Sequence, residues 1–215
     1  MKRIGLTQRS HVVQGYTERR DMLDQRWARL IERLGGCALP LSNNVQCVDA
    51  YLDALDLNAL ILTGGNDLTM IPDSVDGAPE RDRFEAEAYS YFLRCGKPVL
   101  GVCRGAQMIN HLAGGCLVRV TGHAGTRHDL IWADVSQFYW ERPIEVNSYH
   151  NWAIPADGLA LSMEALAWAP DGTVEAFRSA HNLVNAIVWH PERETDLAPA
   201  ALTFLSKALG LASSQ

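Results

Sequence analysis

The chain has 215 residues, 47 % hydrophobic and 20 % charged, with a formal net charge of −6. Those proportions belong to globular proteins, and the acidic balance speaks against nucleic acid as a main partner. No apolar run approaches the ~20 residues of a membrane helix, and the N-terminus lacks a signal-peptide core. The expectation is therefore a cytoplasmic protein folding as one domain over residues 1–215, with neither nucleic acid nor membrane as partner.

The elements expected from periodicity begin with a strand at Arg3–Thr7 and a helix at Arg20–Leu34, ended by Gly35-Gly36. A short strand at Ala38–Leu41, a helix at Val48–Leu55 and a buried strand at Asn58–Leu62 follow. After the loop Thr63-Gly64-Gly65-Asn66-Asp67 come a helix at Arg81–Arg94, a strand at Pro98–Val102 and a helix at Arg104–Leu112. Strand and helix alternate in this half, which implies an α/β fold with a mostly parallel sheet and helices on both faces. The C-terminal half differs. Leu117–Val120, Ile144–Val146, Ala160–Ala169, Thr173–Arg178 and Asn185–Trp189 read as strands, with a turn at Pro170-Asp171-Gly172, so an antiparallel region is added there. Gly122–Trp140 reads as a surface loop, and Thr195–Leu209 as a closing helix with Thr195 as N-cap. The five cysteines show no CxxC spacing and are expected as thiols, most of them small buried hydrophobes.

Cys103 stands apart from the other four. The apolar strand Val99–Val102 runs directly into Gly101-Val102-Cys103-Arg104-Gly105, and a helix follows. That is the strand–turn–helix setting of a nucleophile elbow, with cysteine at its tip. At a helix N-terminus the free N–H groups favour a thiolate. The N–H of Arg104 can face the oxyanion formed when Cys103 attacks a carbonyl. A base is offered by Trp189-His190-Pro191-Glu192. In an extended chain Glu192 lies on the same side as His190 and can orient its ring. A second oxyanion donor is expected from Gly64-Gly65, where glycine lets the backbone approach a substrate closely.

Taken together, Leu62–Asp67, Gly101–Gln107 and Trp189–Glu192 resemble the class I glutamine amidotransferase superfamily, and most of all the γ-glutamyl-γ-aminobutyrate hydrolase family of cysteine peptidases. Arg81-Asp82, Glu85 and Val146-Asn147-Ser148-x-His150 add to the likeness. The resemblance implies a glutamine amidotransferase-like fold and hydrolysis of a γ-glutamyl amide through a thioester on Cys103. His190 would serve as acid and base, Glu192 as its orienter, and the N–H groups of Gly65 and Arg104 as oxyanion hole. Gly64, Gln107, Asn147, Ser148 and His150 would hold the glutamyl group. No cofactor and no metal is implied, and His123 and His128 are set aside as ligands because no carboxylate or cysteine pattern accompanies them. The chain is short for that family. Its N-terminal segment, Gln8-Arg9 and Gly15–Asp21, resembles that of shorter members, linked to surface polysaccharides, that act on nucleotide-linked γ-glutamyl amidates. Arg9, Arg19 and Arg20 are the candidates for an anionic leaving group. The expected partner is a small γ-glutamyl substrate, and at most a second copy of the chain. The alternatives are a glutaminase subunit feeding ammonia to a partner synthase, and a binding protein without catalysis.

Overall fold

The computed structural model describes residues 1–15, 17–133 and 144–211. In chain order, its first half comprises β1 (Lys2–Leu6), β2 (Arg9–Val12), β3 (Arg19–Met22), α1 (Arg26–Arg33), β4 (Gly36–Pro40), α2 (Val48–Leu55), β5 (Ala59–Leu62), α3 (Pro79–Arg94), β6 (Val99–Val102) and α4 (Arg104–Leu112). The second half comprises β7 (Val118–Arg119), β8 (Ala124–Asp129), β9 (Ile131–Trp132), β10 (Glu145–Tyr149), β11 (Trp152–Ala153), β12 (Met163–Trp168), β13 (Val174–Ser179), β14 (Val184–Ile187) and α5 (Pro199–Ala208).

Eight strands form a central sheet in the order β4-β1-β5-β6-β14-β13-β12-β9. From β4 to β14 all neighbours are parallel, and β13, β12 and β9 extend the sheet antiparallel. Side chains alternate between its faces. Ile4, Leu6, Ala59 and Ile61 pack with Trp27 and Ile31 of α1 and Leu205 of α5. Leu60, Leu62 and Val99 pack with Leu52 of α2, Phe84 and Phe92 of α3 and Ile109 of α4. Burial on both faces explains why β5 and β6 read as unbroken apolar runs. None of the described helices is long and apolar enough to cross a membrane.

Several boundaries differ from expectation. The segment Arg20–Leu34 is not one helix: residues 19–22 form β3, paired with β2 in a charged hairpin, and the helix starts at Arg26. Asp24 sets that start, accepting the Arg26 N–H at 2.9 Å on its side chain and the Trp27 N–H at 3.1 Å on its carbonyl. The last helix starts at Pro199 with Ala198 as N-cap, so Thr195 does not cap it. A residue preceding proline is disfavoured in the helical region, which blocks extension backwards. Part of the expected loop at Gly122–Trp140 is β8, paired with β10, and β9 at the sheet edge, and its residues 134–140 lie outside those described. Four of the five cysteines are at least partly exposed and Cys103 alone is buried.

Candidate active site

Parallel sheets gather ligands at the carboxyl ends of their strands. Here β1, β5, β6 and β14 deliver Arg9, the Gly64-Gly65 turn, Cys103 and His190 to one edge. The elbow at Cys103 is tight. Its backbone sits at φ 52°, a conformation L-residues rarely adopt. A Cβ on Gly105 would stand 1.9 Å from the carbonyl oxygen of Leu62, so only glycine lets α4 lie this close to β5. Gly64 has a different reason to be glycine: a Cβ there would stand 2.5 Å from Cε1 of His190.

Cys103, His190 and Glu192 stand in a row. The thiol hydrogen-bonds the His190 ring, and His190 Nδ1 lies 2.7 Å from Glu192 Oε1. All three are buried. Burial pushes the Cys103 thiol up, but the His190 charge, its hydrogen bond, the His150 charge and the Arg104 N–H together hold it below its ordinary value. Burial likewise lowers His190, yet the Cys103 charge and hydrogen bond and the Glu192 carboxylate raise it to about 9. The two shifts favour a thiolate–imidazolium pair at neutral pH.

Behind the Gly64-Gly65 turn sits a buried charge network. Arg81 is fully buried and donates to the carbonyls of Thr63 at 2.7 Å, Gly64 at 3.2 Å and Gly65. It also pairs with Glu85 at 2.8 Å, and Arg104 closes the network by pairing with Glu85 and Asp82. In a trans peptide the C=O and the following N–H point opposite ways. With the Gly64 carbonyl turned to Arg81, the Gly65 N–H faces away from it, on the side where Gly65 lines the cavity with Cys103.

That cavity is about 390 Å³, within the usual range for small-ligand sites. Gln107 and His150 line it, Gln107 with Nε2 donating to the Trp152 carbonyl at 2.7 Å. Asn147 is placed otherwise. Its Oδ1 accepts the His190 N–H at 2.9 Å and its Nδ2 donates to the His190 carbonyl at 2.8 Å. The side chain thus clamps the backbone that carries His190. Ser148 is fully buried and not among the residues lining the cavity.

Of the three arginines, Arg9 reaches the cavity, packs against Gly65 and pairs with Asp76 at 2.9 Å. Arg19 lines a neighbouring cavity that shares Arg9 and Asp76 with the first. Arg20 lines neither; it pairs with Glu18 at 2.5 Å with 55 % of its side chain exposed. Sequence reasoning missed Arg193, which lines the main cavity with its guanidinium 4.4 Å from the Tyr149 ring centroid. Its position directly after Glu192 was the available signal.

Comparison with known proteins agrees with this architecture. Over 197 residues the chain is 34 % identical to the γ-glutamyl-CDP-amidate hydrolase of Campylobacter jejuni, covering 90 % of this chain and 92 % of that protein. It is 32 % identical to protein NtpR of Enterococcus hirae, covering 72 % and 73 % of the two chains. A glutamine amidotransferase structure from Thermotoga maritima superposes with a TM-score of 0.66 over 96 % of this chain and 81 % of that one, at 12 % identity, a likeness of fold. Residues 4–192 match the Peptidase C26 family. With its glutamine amidotransferase-like sheet and its cysteine at the β6–α4 elbow, the chain belongs to the Peptidase C26 family.

Proposed function

We propose that this protein hydrolyses the γ-glutamyl amide bond of a nucleotide-linked amidate through a thioester on Cys103. The coarser activity, γ-glutamyl amide hydrolysis, is supported by the family and by the Campylobacter jejuni relative. The observation that carries the finer reading is the pair of guanidinium groups, Arg9 and Arg193, lining the cavity into which Cys103 opens. Guanidinium forks match phosphate oxygens in geometry as well as charge.

In this reading the Cys103 thiolate attacks the γ-carbonyl carbon. The carbonyl oxygen becomes an oxyanion facing the N–H groups of Gly65 and Arg104. The His190 imidazolium gives its proton to the leaving nitrogen as the C–N bond breaks, releasing the amidate and leaving a γ-glutamyl thioester. Neutral His190 then takes a proton from water. The resulting hydroxide adds to the thioester, and the C–S bond breaks to give glutamate and the thiolate. Glu192 holds the ring in the required orientation throughout. Gln107 holds the glutamyl end, the His150–Trp152 segment walls the cavity beside it, and Gly64 leaves room for the His190 ring.

The test is glutamate release by the protein alone from glutamine, γ-glutamyl-γ-aminobutyrate, a γ-glutamyl anilide and a γ-glutamyl phosphoramidate, with Cys103→Ala as control. Preference for the phosphoramidate supports the proposal. Release from none of them would overturn it in favour of a glutaminase that needs a synthase. Arg9→Gln and Arg193→Gln should each lower kcat/KM on the phosphoramidate by about 30- to 100-fold, the usual scale for losing a charge-paired hydrogen bond. Both should leave the anilide unaffected, as should Arg20→Gln for either substrate. Equal losses on both substrates would remove the case for an anionic leaving group.

The pH profile follows from the two shifts. Activity falls at low pH as the Cys103 thiolate takes up a proton, at a pH below the ordinary thiol value. It falls again near pH 9 as His190 loses the proton the leaving nitrogen needs. Both limbs belong to the coupled pair rather than to either residue. Glu192→Gln removes one of the influences that raise His190, so the basic limb of kcat/KM should move to lower pH. An unmoved limb would mean that Glu192 does not set the charge on His190.

A further inference from the structure

Behind the cavity wall, on the far side of His150, four side chains converge. His123 precedes β8, His128 lies on β8, His150 follows β10, and Glu175 comes from β13. One ligand atom each from His123, His128 and Glu175 lies within 4.8 Å of the others. His150 Nε2 is 3.4 Å from Glu175 Oε1.

Each imidazole has one nitrogen committed outward and the other turned inward, where among the described residues it makes no hydrogen bond. His150 Nδ1 is 3.0 Å from the Trp152 carbonyl, and His128 Nδ1 is 3.2 Å from the Asp129 carbonyl. A carbonyl only accepts, so both Nδ1 atoms carry hydrogen. His123 Nε2 lies 2.8 Å from Oδ2 of Asp171, a carboxylate oxygen that accepts. That nitrogen also donates. Among the described residues, the opposite nitrogens, His123 Nδ1, His128 Nε2 and His150 Nε2, are buried without a hydrogen-bond partner, and so are both oxygens of Glu175, itself 1 % exposed.

We propose that His123, His128, His150 and Glu175 form a tetrahedral site for a divalent transition-metal cation of the zinc type. Spacing separates this from a hydrogen-bonded cluster. A charge-assisted N–H···O bond is about 2.7–2.9 Å long. His128 Nε2 and His150 Nε2 instead stand 3.6 Å and 3.4 Å from Glu175 Oε1. Ligands at about 2.0–2.2 Å from a tetrahedral ion lie about 3.3–3.6 Å from one another; the two Glu175 distances meet that spacing, while the His123–His128–Glu175 set spreads to 4.8 Å and must draw inward by about 1 Å around the ion. The outward partners complete the pattern, because a metal-binding histidine donates its other ring N–H to a carbonyl or carboxylate. Four protein ligands close the site, so its role is structural. The cation ties β8 and β13 to the His150–Trp152 wall of the substrate cavity. Glu175 is far from His123 and His128 along the chain and arrives only when β13 folds beside them.

Protein loaded with Zn²⁺ and dialysed against metal-free buffer should retain about one zinc per chain by elemental analysis. Glu175→Gln and His128→Ala should lose it, and Cys103→Ala, which removes the competing thiol donor, should keep it. A strong chelator should lower Tm of the wild-type protein and leave that of Glu175→Gln unmoved. Should Glu175→Gln fail to fold, the zinc content of the wild type and of Cys103→Ala still decides. No retained zinc in the wild type, or zinc that follows Cys103, overturns the proposal. Metal content and melting are read without a substrate, so this test stands apart from the hydrolase assay.

Discussion

Cys103→Ala should lower kcat for glutamate release by about 10⁵- to 10⁶-fold, the scale seen when a covalent nucleophile is deleted. The thioester route needs an attacking atom, and no water held by His190 reproduces its placement at the elbow. Adding His190→Ala to Cys103→Ala should cost almost nothing more, because the two act as one unit. The variant also reports on the charge pair. The thiolate is a leading influence holding His190 at about 9, so the His190 titration followed by NMR should move down in Cys103→Ala. Stability adds a third reading. Cys103 is held at φ 52°, where glycine is at ease and alanine is not. Cys103→Gly should therefore be more stable than Cys103→Ala by about 1 kcal/mol in urea denaturation. Persistent turnover by Cys103→Ala would end the covalent mechanism.

The parallel core was legible because burial on both faces leaves a plain signal. Ala59–Leu62 and Val99–Val102 have no polar side to confuse the reading, and glycines mark where β6 turns into α4. The β2–β3 hairpin gave no such signal. Its Arg9-Ser10-His11-Val12 and Arg19-Arg20-Asp21-Met22 bury little, so neither alternation nor an apolar face betrays a strand, and the apolar residues of α1 masked it. For the candidate site, the strand–turn–helix at Cys103 and the strand-end His190-Pro191-Glu192 were enough to expect these three side chains together, and the fold brings them together. Such reading was not enough for Asn147, whose motif suggested substrate and whose amide instead spans the His190 backbone. Nor could it reveal groups assembled from distant strands. Glu175 joins His123 and His128, and Arg81 reaches from α3 beneath the Gly64-Gly65 turn, through contacts that only the folded sheet creates.

Arg81 offers the second large effect. Its guanidinium meets Glu85 and the carbonyls of Thr63, Gly64 and Gly65 in complete burial, where burial and the Arg104 charge lower it to about 10. Arg81→Met keeps the apolar stem but strands those carbonyls and leaves Glu85 with Arg104 as its remaining arginine partner. Breaking a buried network from one side costs about 3–5 kcal/mol, read as a lower midpoint in urea at unchanged slope. In the proposed mechanism the same arginine fixes the peptide whose N–H meets the oxyanion. The variant should therefore also lose about 10²- to 10³-fold in kcat, with KM little changed, at temperatures where it is still folded. Arg81→Lys separates the two roles. Lysine restores the charge beside Glu85 and should recover part of the stability, but a single ammonium cannot hold three carbonyls in the planar fork. Its kcat should stay low. Were Arg81→Lys or Arg81→Met to turn over normally while melting early, Arg81 would be a fold-holding residue alone, and the Gly65 N–H would need no support from beneath to face the oxyanion.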